Sequence, residues 1–231
     1  MPALLDGAHV AVVDDVERDA ETTSIVLTDA GLDPEIVELD EDPAALVEHL
    51  KGRFAGVVCD HRLQGKVSYF GAEVVAACME SGLPAVLITT YADPRDNALI
   101  QRYRHQIPEL LMRGSEANAL AIRDALDYAM EETRGNYRLT RKPHRTVVRV
   151  TGINRDSPAT VDIAIPAWST TQVATFPLSS LLQHGEGAAV GQRYLADVNI
   201  YADSYLDLYA TNFEPIPKAS FEDVIGMTPN A

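Results

Sequence analysis

Cysteine is scarce in this chain of 231 residues, cations are outnumbered, and long apolar runs are missing. The two cysteines, Cys59 and Cys78, sit inside apolar runs, so a disulfide scaffold is excluded and a reducing cytoplasm is the expected compartment. No basic, apolar leader is seen at the start, and nothing approaches the roughly 18 apolar residues of a membrane span. Lys and Arg number 19 against 34 Asp and Glu, a net charge of −15 that repels phosphate backbones and anionic headgroups. DNA and membranes are therefore not expected partners, and no helix-turn-helix pattern follows residue 135. Also absent are a Gly-rich phosphate loop, a G-x-S-x-G elbow and paired zinc ligands, so no output enzyme is expected. What is present is a 46% hydrophobic, 23% charged composition, that of a globular chain able to bury a core.

Charge divides the chain into parts. Residues 1–135 carry 25 acids and 11 bases, residues 136–145 carry four bases and no acid, and residues 146–231 carry nine acids and four bases. The basic, Pro-containing stretch 136–145 reads as a linker between two acidic domains, 1–135 and 146–231.

In the first domain, apolar runs at 8–13, 35–39, 54–59, 85–89 and 109–112 are short and mostly bounded by turn residues, as buried parallel strands are. Between them lie helical patterns at 16–30, 43–50, 71–81, 94–105 and 116–133, with start and stop signals at Asp42-Pro43, Ser115, Gly31 and Gly82. Strand then helix, five times over, predicts a doubly wound α/β fold around a five-stranded parallel sheet. The second domain changes rhythm: β-prone runs at 145–150, 160–165, 172–176, 192–200 and 205–210 predict a small all-β domain, barrel or sandwich. A loose tail follows, with one short helix near 221–225.

Asp14 and Asp15 leave the first strand and Asp60 leaves the third, which brings three carboxylates to one edge of the sheet. Three acids repel unless a hard cation neutralises them, and oxygen ligands with room for water suit Mg²⁺. Thr89 ends the fourth strand with a hydroxyl and Arg113 follows the fifth with a guanidinium, both fit to meet phosphoryl oxygens. Nucleophile, metal, hydroxyl and cation together make a site for phosphoryl transfer onto Asp.

Residues 8–133 resemble the receiver domain of two-component response regulators. "VAVVDD" resembles the family's first strand with its acidic pair, "GVVCDHRL" the phosphoacceptor strand, "GLPAVLITTYAD" the fourth strand with its hydroxyl, and "ELLMRG" the strand that ends in Lys-Pro. The resemblance implies a flavodoxin-like fold with Asp60 phosphorylated by a sensor histidine kinase. It further implies Asp15, Asp60 and the Arg62 carbonyl as direct Mg²⁺ ligands, Asp14 as a ligand through water, and Thr89 as the switch hydroxyl. Two departures stand out: Arg113 replaces the family's Lys, and Leu110 occupies the place of an aromatic, for which Tyr91 or Tyr103 would have to substitute.

Two readings follow. In the first, phosphorylation remodels the fourth-helix face and output runs through protein–protein contact, including a homodimer through the fourth and fifth helices. There, Arg95, Arg102, Arg104 and Arg123 would meet Asp96, Glu116, Asp124 and Asp127. In the second, the Arg113 and Leu110 changes leave a non-catalytic scaffold whose β-domain binds a partner. The stretch Arg141-Lys-Pro-His-Arg145 is similar to the R-x-x-x-R of cyclic-dinucleotide-binding barrels, but their D/N-x-S-x-x-G partner is missing, so it reads as a solvated linker. His61 reads as a partly exposed loop residue, Cys59 and Cys78 as small core hydrophobes, and Trp168 as a core residue of the β-domain.

Overall fold

The computed structural model describes residues 4, 6–90, 94–114, 116–181 and 188–217. The chain forms two compact units, residues 1–138 and 139–231.

The first unit alternates β1 (His9–Val13), α1 (Glu17–Asp29), β2 (Asp33–Ile36), α2 (Pro43–Leu50), β3 (Gly56–Asp60), α3 (Gly71–Glu80), β4 (Ala85–Thr89), α4 (Pro94–Tyr103), β5 (Leu110–Met112) and α5 (Ala119–Thr133). Its sheet is wholly parallel in the order β2-β1-β3-β4-β5, the doubly wound α/β arrangement expected. Successive side chains of a strand point to opposite faces, and the core divides accordingly. Ala11, Val13, Val57, Cys59, Ala85 and Leu87 pack with Leu46, Val47 and Leu50 of α2 and with Val75 and Cys78 of α3. Val10, Val12, Val58, Val86 and Ile88 pack with Ala20 and Leu27 of α1 and with Ile122, Leu126 and Ala129 of α5. Each Val, Leu or Ile side chain among these contributes about 1.5–3 kcal/mol on burial, so the three central strands, apolar on both faces, anchor the sheet.

Element ends differ from the expected bounds where capping decides them. Asp42 caps α2, accepting from the Ala44 N–H at 3.0 Å, with Pro43 in the first turn as read from the sequence. The last helix begins later than 116, because the Asn118 side chain accepts from the Ala121 N–H at 3.0 Å and serves as the cap. Strand β2 starts at Asp33, earlier than 35, and includes Pro34; a proline is tolerated there because β2 is an edge strand.

The second unit holds β6 (His144–Asn154), β7 (Thr160–Ala164), β8 (Val173–Pro177), β9 (Arg193–Val198) and β10 (Ala210–Pro215). They pair antiparallel in the order β10-β9-β6-β7-β8, and the described strands form one open sheet with no closed barrel. Val148, Val150, Val161, Ile163, Phe176, Tyr194, Val198 and Phe213 line its buried face. Trp168 packs partly buried against this core and donates its indole N–H to the Ala202 carbonyl at 3.2 Å.

The strand expected at 205–210 is corrected. Residues 201–209 hold turns and bends and no strand, and the last strand begins only at Ala210. The reason is Asn199, fully buried, whose side chain donates to the carbonyls of Thr140 (2.9 Å) and Asp207 (3.0 Å) and accepts from the Tyr209 N–H (2.7 Å). Two backbone groups of the would-be strand are thus committed to a side chain.

The stretch 136–145 is more ordered than a solvated linker. Arg138 stacks its guanidinium 4.0 Å over the Tyr128 ring and pairs with Glu109, Arg141 is 2% exposed and lies over Tyr209, and β6 begins at His144. Arg145 is tied to Glu214 at 2.6 Å and to the Asn212 carbonyl at 2.6 Å. Two of the arginines assigned to a dimer are likewise engaged inside the first unit. Arg104 is buried with a bond to the Ile107 carbonyl, and Arg123 holds the carbonyls of Ala30 and Leu4 and the Asp6 carboxylate. The side chains of Arg95 and Asp96, the whole of Tyr91, and the helix expected near 221–225 lie outside the described residues.

Candidate functional site

A parallel sheet gathers the carboxyl ends of its strands along one edge, so residues distant in sequence meet there. Asp14 and Asp15 directly follow β1, Asp60 ends β3, Thr89 ends β4, and Arg113 directly follows β5. One carboxylate oxygen from each of Asp14, Asp15 and Asp60 lies within 4.8 Å of the others. The three acids expected to converge do so.

Each acid is held by a defined donor. Asp14 accepts from the Val16 N–H at 2.9 Å, a local turn that also opens α1, which has no side-chain cap of its own. Asp60 Oδ2 accepts from the Arg62 N–H at 2.7 Å, and Asp15 Oδ2 accepts from the Gly65 N–H at 2.6 Å. Asp14 is buried and Asp60 nearly so, and that burial pushes both carboxyls above the ordinary carboxylate value, against the pull of their hydrogen bonds and of Arg113.

Arg113 reaches across the acids. One guanidinium nitrogen, Nη2, lies 2.7 Å from Asp14 Oδ2 and 2.8 Å from Asp60 Oδ1, while Nη1 donates to the Asp19 carbonyl and the Thr23 hydroxyl of α1, each at 3.2 Å. Burial pulls the Arg113 pKa down, but the two carboxylates outweigh it and hold the guanidinium charged. The Arg113 N–H also donates to the Thr89 carbonyl at 2.7 Å, which fastens the ends of β4 and β5 together and brings the buried Thr89 to the site. The planar fork explains what a Lys at this position would not do: one side chain contacts both acids and the first helix.

The donor set fits Mg²⁺. Three hard oxygens converge, three formal negative charges face one guanidinium, and Asp15 Oδ1 has no hydrogen-bond partner among the described residues.

Some features were not anticipated from the sequence. His61 is fully buried with its ring stacked on Phe70 at 5.3 Å, not partly exposed, because the connection to α3 folds back so that the Gly71 N–H donates to the His61 carbonyl. The Gly65 contact to Asp15 and the anchoring of Arg113 on Asp19 and Thr23 went unread. The nearest signal was a glycine five residues after Asp60 in a polar loop. Leu110 is partly buried against the core, as is Tyr103. Both cysteines are buried free thiols, and burial pushes Cys78 up to about 12, which makes them inert core residues.

No protein-family model matches the chain, and no curated protein matches it. Solved structures do. The signal receiver domain of a modulated diguanylate cyclase from Desulfovibrio desulfuricans G20 is 21% identical, with 56% of this chain and 98% of that one covered at a TM-score of 0.45. A response regulator receiver domain protein from Clostridium thermocellum is 15% identical over 55% of this chain and 97% of that one, TM-score 0.44. The signal receiver domain of the response regulator NarL from Mycobacterium tuberculosis is 23% identical over 54% and 98%, TM-score 0.40. The matched structures are mostly response regulator receiver domains, and the part of this chain that they resemble is its N-terminal 55% or so.

Proposed function

We propose that the first unit is the phosphoacceptor of a two-component system, acting in the cytoplasm. Asp60 takes a phosphoryl group from a sensor histidine kinase, and Asp14, Asp15, Asp60 and the Arg62 carbonyl hold Mg²⁺. The observation that carries this reading is the convergence of Asp14, Asp15 and Asp60 at the carboxyl edge of the sheet, with Arg113 bridging two of them.

In the transfer, an Asp60 carboxylate oxygen attacks phosphorus, the P–N bond to the kinase histidine breaks with its electron pair left on the ring nitrogen, and a proton from water completes the neutral imidazole. Bound Mg²⁺ supplies charge neutralisation for the acids and the phosphoryl oxygens. The rest falls to the chain's own side chains. Asp60 gives up its carboxylate charge and gains a phosphoryl group carrying about two negative charges, so Arg113 finds its new partner on the phosphoryl oxygens. Thr89 offers its hydroxyl from the neighbouring strand. Since Arg113 also grips Asp19 and Thr23, any shift of the guanidinium is felt by α1.

Output by protein–protein contact is the reading that the acidic surface supports, since a net charge of −15 disfavours DNA. Among the described residues, no helix is long and apolar enough to cross a membrane. The chain is thus a substrate and switch that assists its own phosphorylation.

The test is to incubate the full chain with Mg²⁺ and acetyl phosphate and to follow intact mass. One added phosphoryl group, absent without Mg²⁺ and absent in Asp60→Asn, is expected. No adduct on the wild type, or an adduct that persists in Asp60→Asn, overturns the proposal.

A further inference from the structure

Beyond Arg62, whose N–H holds Asp60, the loop between β3 and α3 reaches the acidic cluster again at Gly65. Leu63, fully buried, and Tyr69, nearly so, pin the two sides of the loop into the core, and the N–H groups of Lys66 and Val67 both donate to the Leu63 carbonyl at 3.1 Å. The turn so formed carries the Gly65 N–H to Asp15 Oδ2, across 50 residues of sequence.

Gly65 differs from the glycines that end helices in this chain. Gly31, Gly82 and Gly135 have φ near +80°, where the backbone itself calls for glycine. Gly65 is not in that left-handed region, so its backbone would accept an L side chain. What such a side chain would displace is the Asp15 carboxylate. A Cβ at Gly65 would lie 2.4 Å from Asp15 Oδ2 and 3.3 Å from its Cγ, and its three nearest atoms all belong to Asp15. The missing side chain is therefore matched to one carboxylate.

We propose that Gly65 is a positioning residue for the Mg²⁺ site: its N–H fixes the Asp15 carboxylate among the three acids, and its lack of a Cβ leaves room for that carboxylate. The inference deepens the proposed function and rests on Asp15 being a ligand. Fixing one oxygen by a backbone donor leaves Asp15 Oδ1 directed by the loop. In Mg²⁺-free protein the bond also offsets the repulsion that would drive Asp15 away from Asp14 and Asp60.

Calorimetric titration of the full chain with Mg²⁺ alone tests it, using wild type, Gly65→Ala, Asp15→Ala and the double variant, each checked for a cooperative urea transition. Gly65→Ala is expected to weaken Mg²⁺ about 10- to 100-fold, as loss of a group that orients a metal ligand does. In the Asp15→Ala background, where the clashing carboxylate is gone, Gly65→Ala is expected to add nothing. That background keeps the test valid should Gly65→Ala alone fold poorly. Equal affinity of Gly65→Ala and wild type, or an undiminished further loss in the double variant, overturns the role of Gly65. A wild type that binds no Mg²⁺ instead overturns the metal reading beneath it.

Discussion

At the scale of single residues, the chemistry of this site is a contest between burial and pairing. Asp14 and Asp60 are held in low-dielectric surroundings with one cation between them, and burial wins: both carboxyls hold a proton more tightly in the folded protein than in the unfolded chain. Their contribution to stability therefore falls as pH rises from the ordinary value of 3.8 through their raised folded values, and is regained on acidification. Arg113 is the only cation that pairs with either of them among the described residues, and its side chain is 15% exposed. Arg113→Ala leaves two desolvated carboxylates without their partner and is expected to destabilise the fold by about 3 kcal/mol at pH 7. The deficit should shrink at a lower pH, as the raised carboxyls take up protons, and should shrink on adding Mg²⁺. Urea midpoints at the two pH values, with and without Mg²⁺, check both statements; a deficit insensitive to either would mean that Arg113 acts by packing alone.

At the scale of elements, the site depends on how tightly the β3–α3 connection is drawn. The first residue of α3, Gly71, lies so close to the end of β3 that a Cβ there would fall 1.8 Å from the Asp60 carbonyl oxygen and 2.9 Å from Cys59 Sγ. Gly71→Ala must push helix and strand apart, at a cost of about 3 kcal/mol by overpacking, with Asp60 displaced as part of the same movement. Chemical denaturation measures the first effect, and loss of the acetyl phosphate adduct the second; an alanine variant as stable and as reactive as wild type contradicts the close approach. These elements were legible in outline. Val- and Ile-rich runs flanked by turn residues marked β1, β3 and β4, since strands buried on both faces have no polar alternation to confuse the reading. Asp42-Pro43 marked α2 because capping is local chemistry. The Gly65 and Gly71 contacts were not legible, because a close approach between distant segments leaves no local pattern. The 205–210 run misled for a related reason: Leu208, Tyr209 and Ala210 are buried, but Tyr205 and Leu206 are exposed and Asn199 claims the backbone of Asp207 and Tyr209.

At the scale of the whole molecule, each unit has a core of its own, one a parallel sheet covered by helices and the other an open antiparallel sheet. Asp14, Asp15 and Asp60, gathered at one edge of the sheet, are three of the 25 acids in the first 135 residues. Of the other described acids only Glu132 is buried, and composition alone predicted little from them beyond the expectation that nucleic acid is not a partner. The second unit's all-β character was foreseen from β-prone runs with partial apolar alternation, whereas how the strands pair and whether the sheet closes on itself depend on contacts between distant segments that no local alternation encodes. All of the functional account hangs on whether Asp14, Asp15 and Asp60 serve one ion while Asp60 receives phosphorus. A crystal structure of the full chain grown with Mg²⁺ and beryllofluoride addresses that directly. The expected result is beryllofluoride on an Asp60 carboxylate oxygen, Arg113 and Thr89 turned to its fluorides, and Mg²⁺ between that group and the acids. Beryllofluoride absent from Asp60, or Mg²⁺ bound away from all three carboxylates, would contradict it.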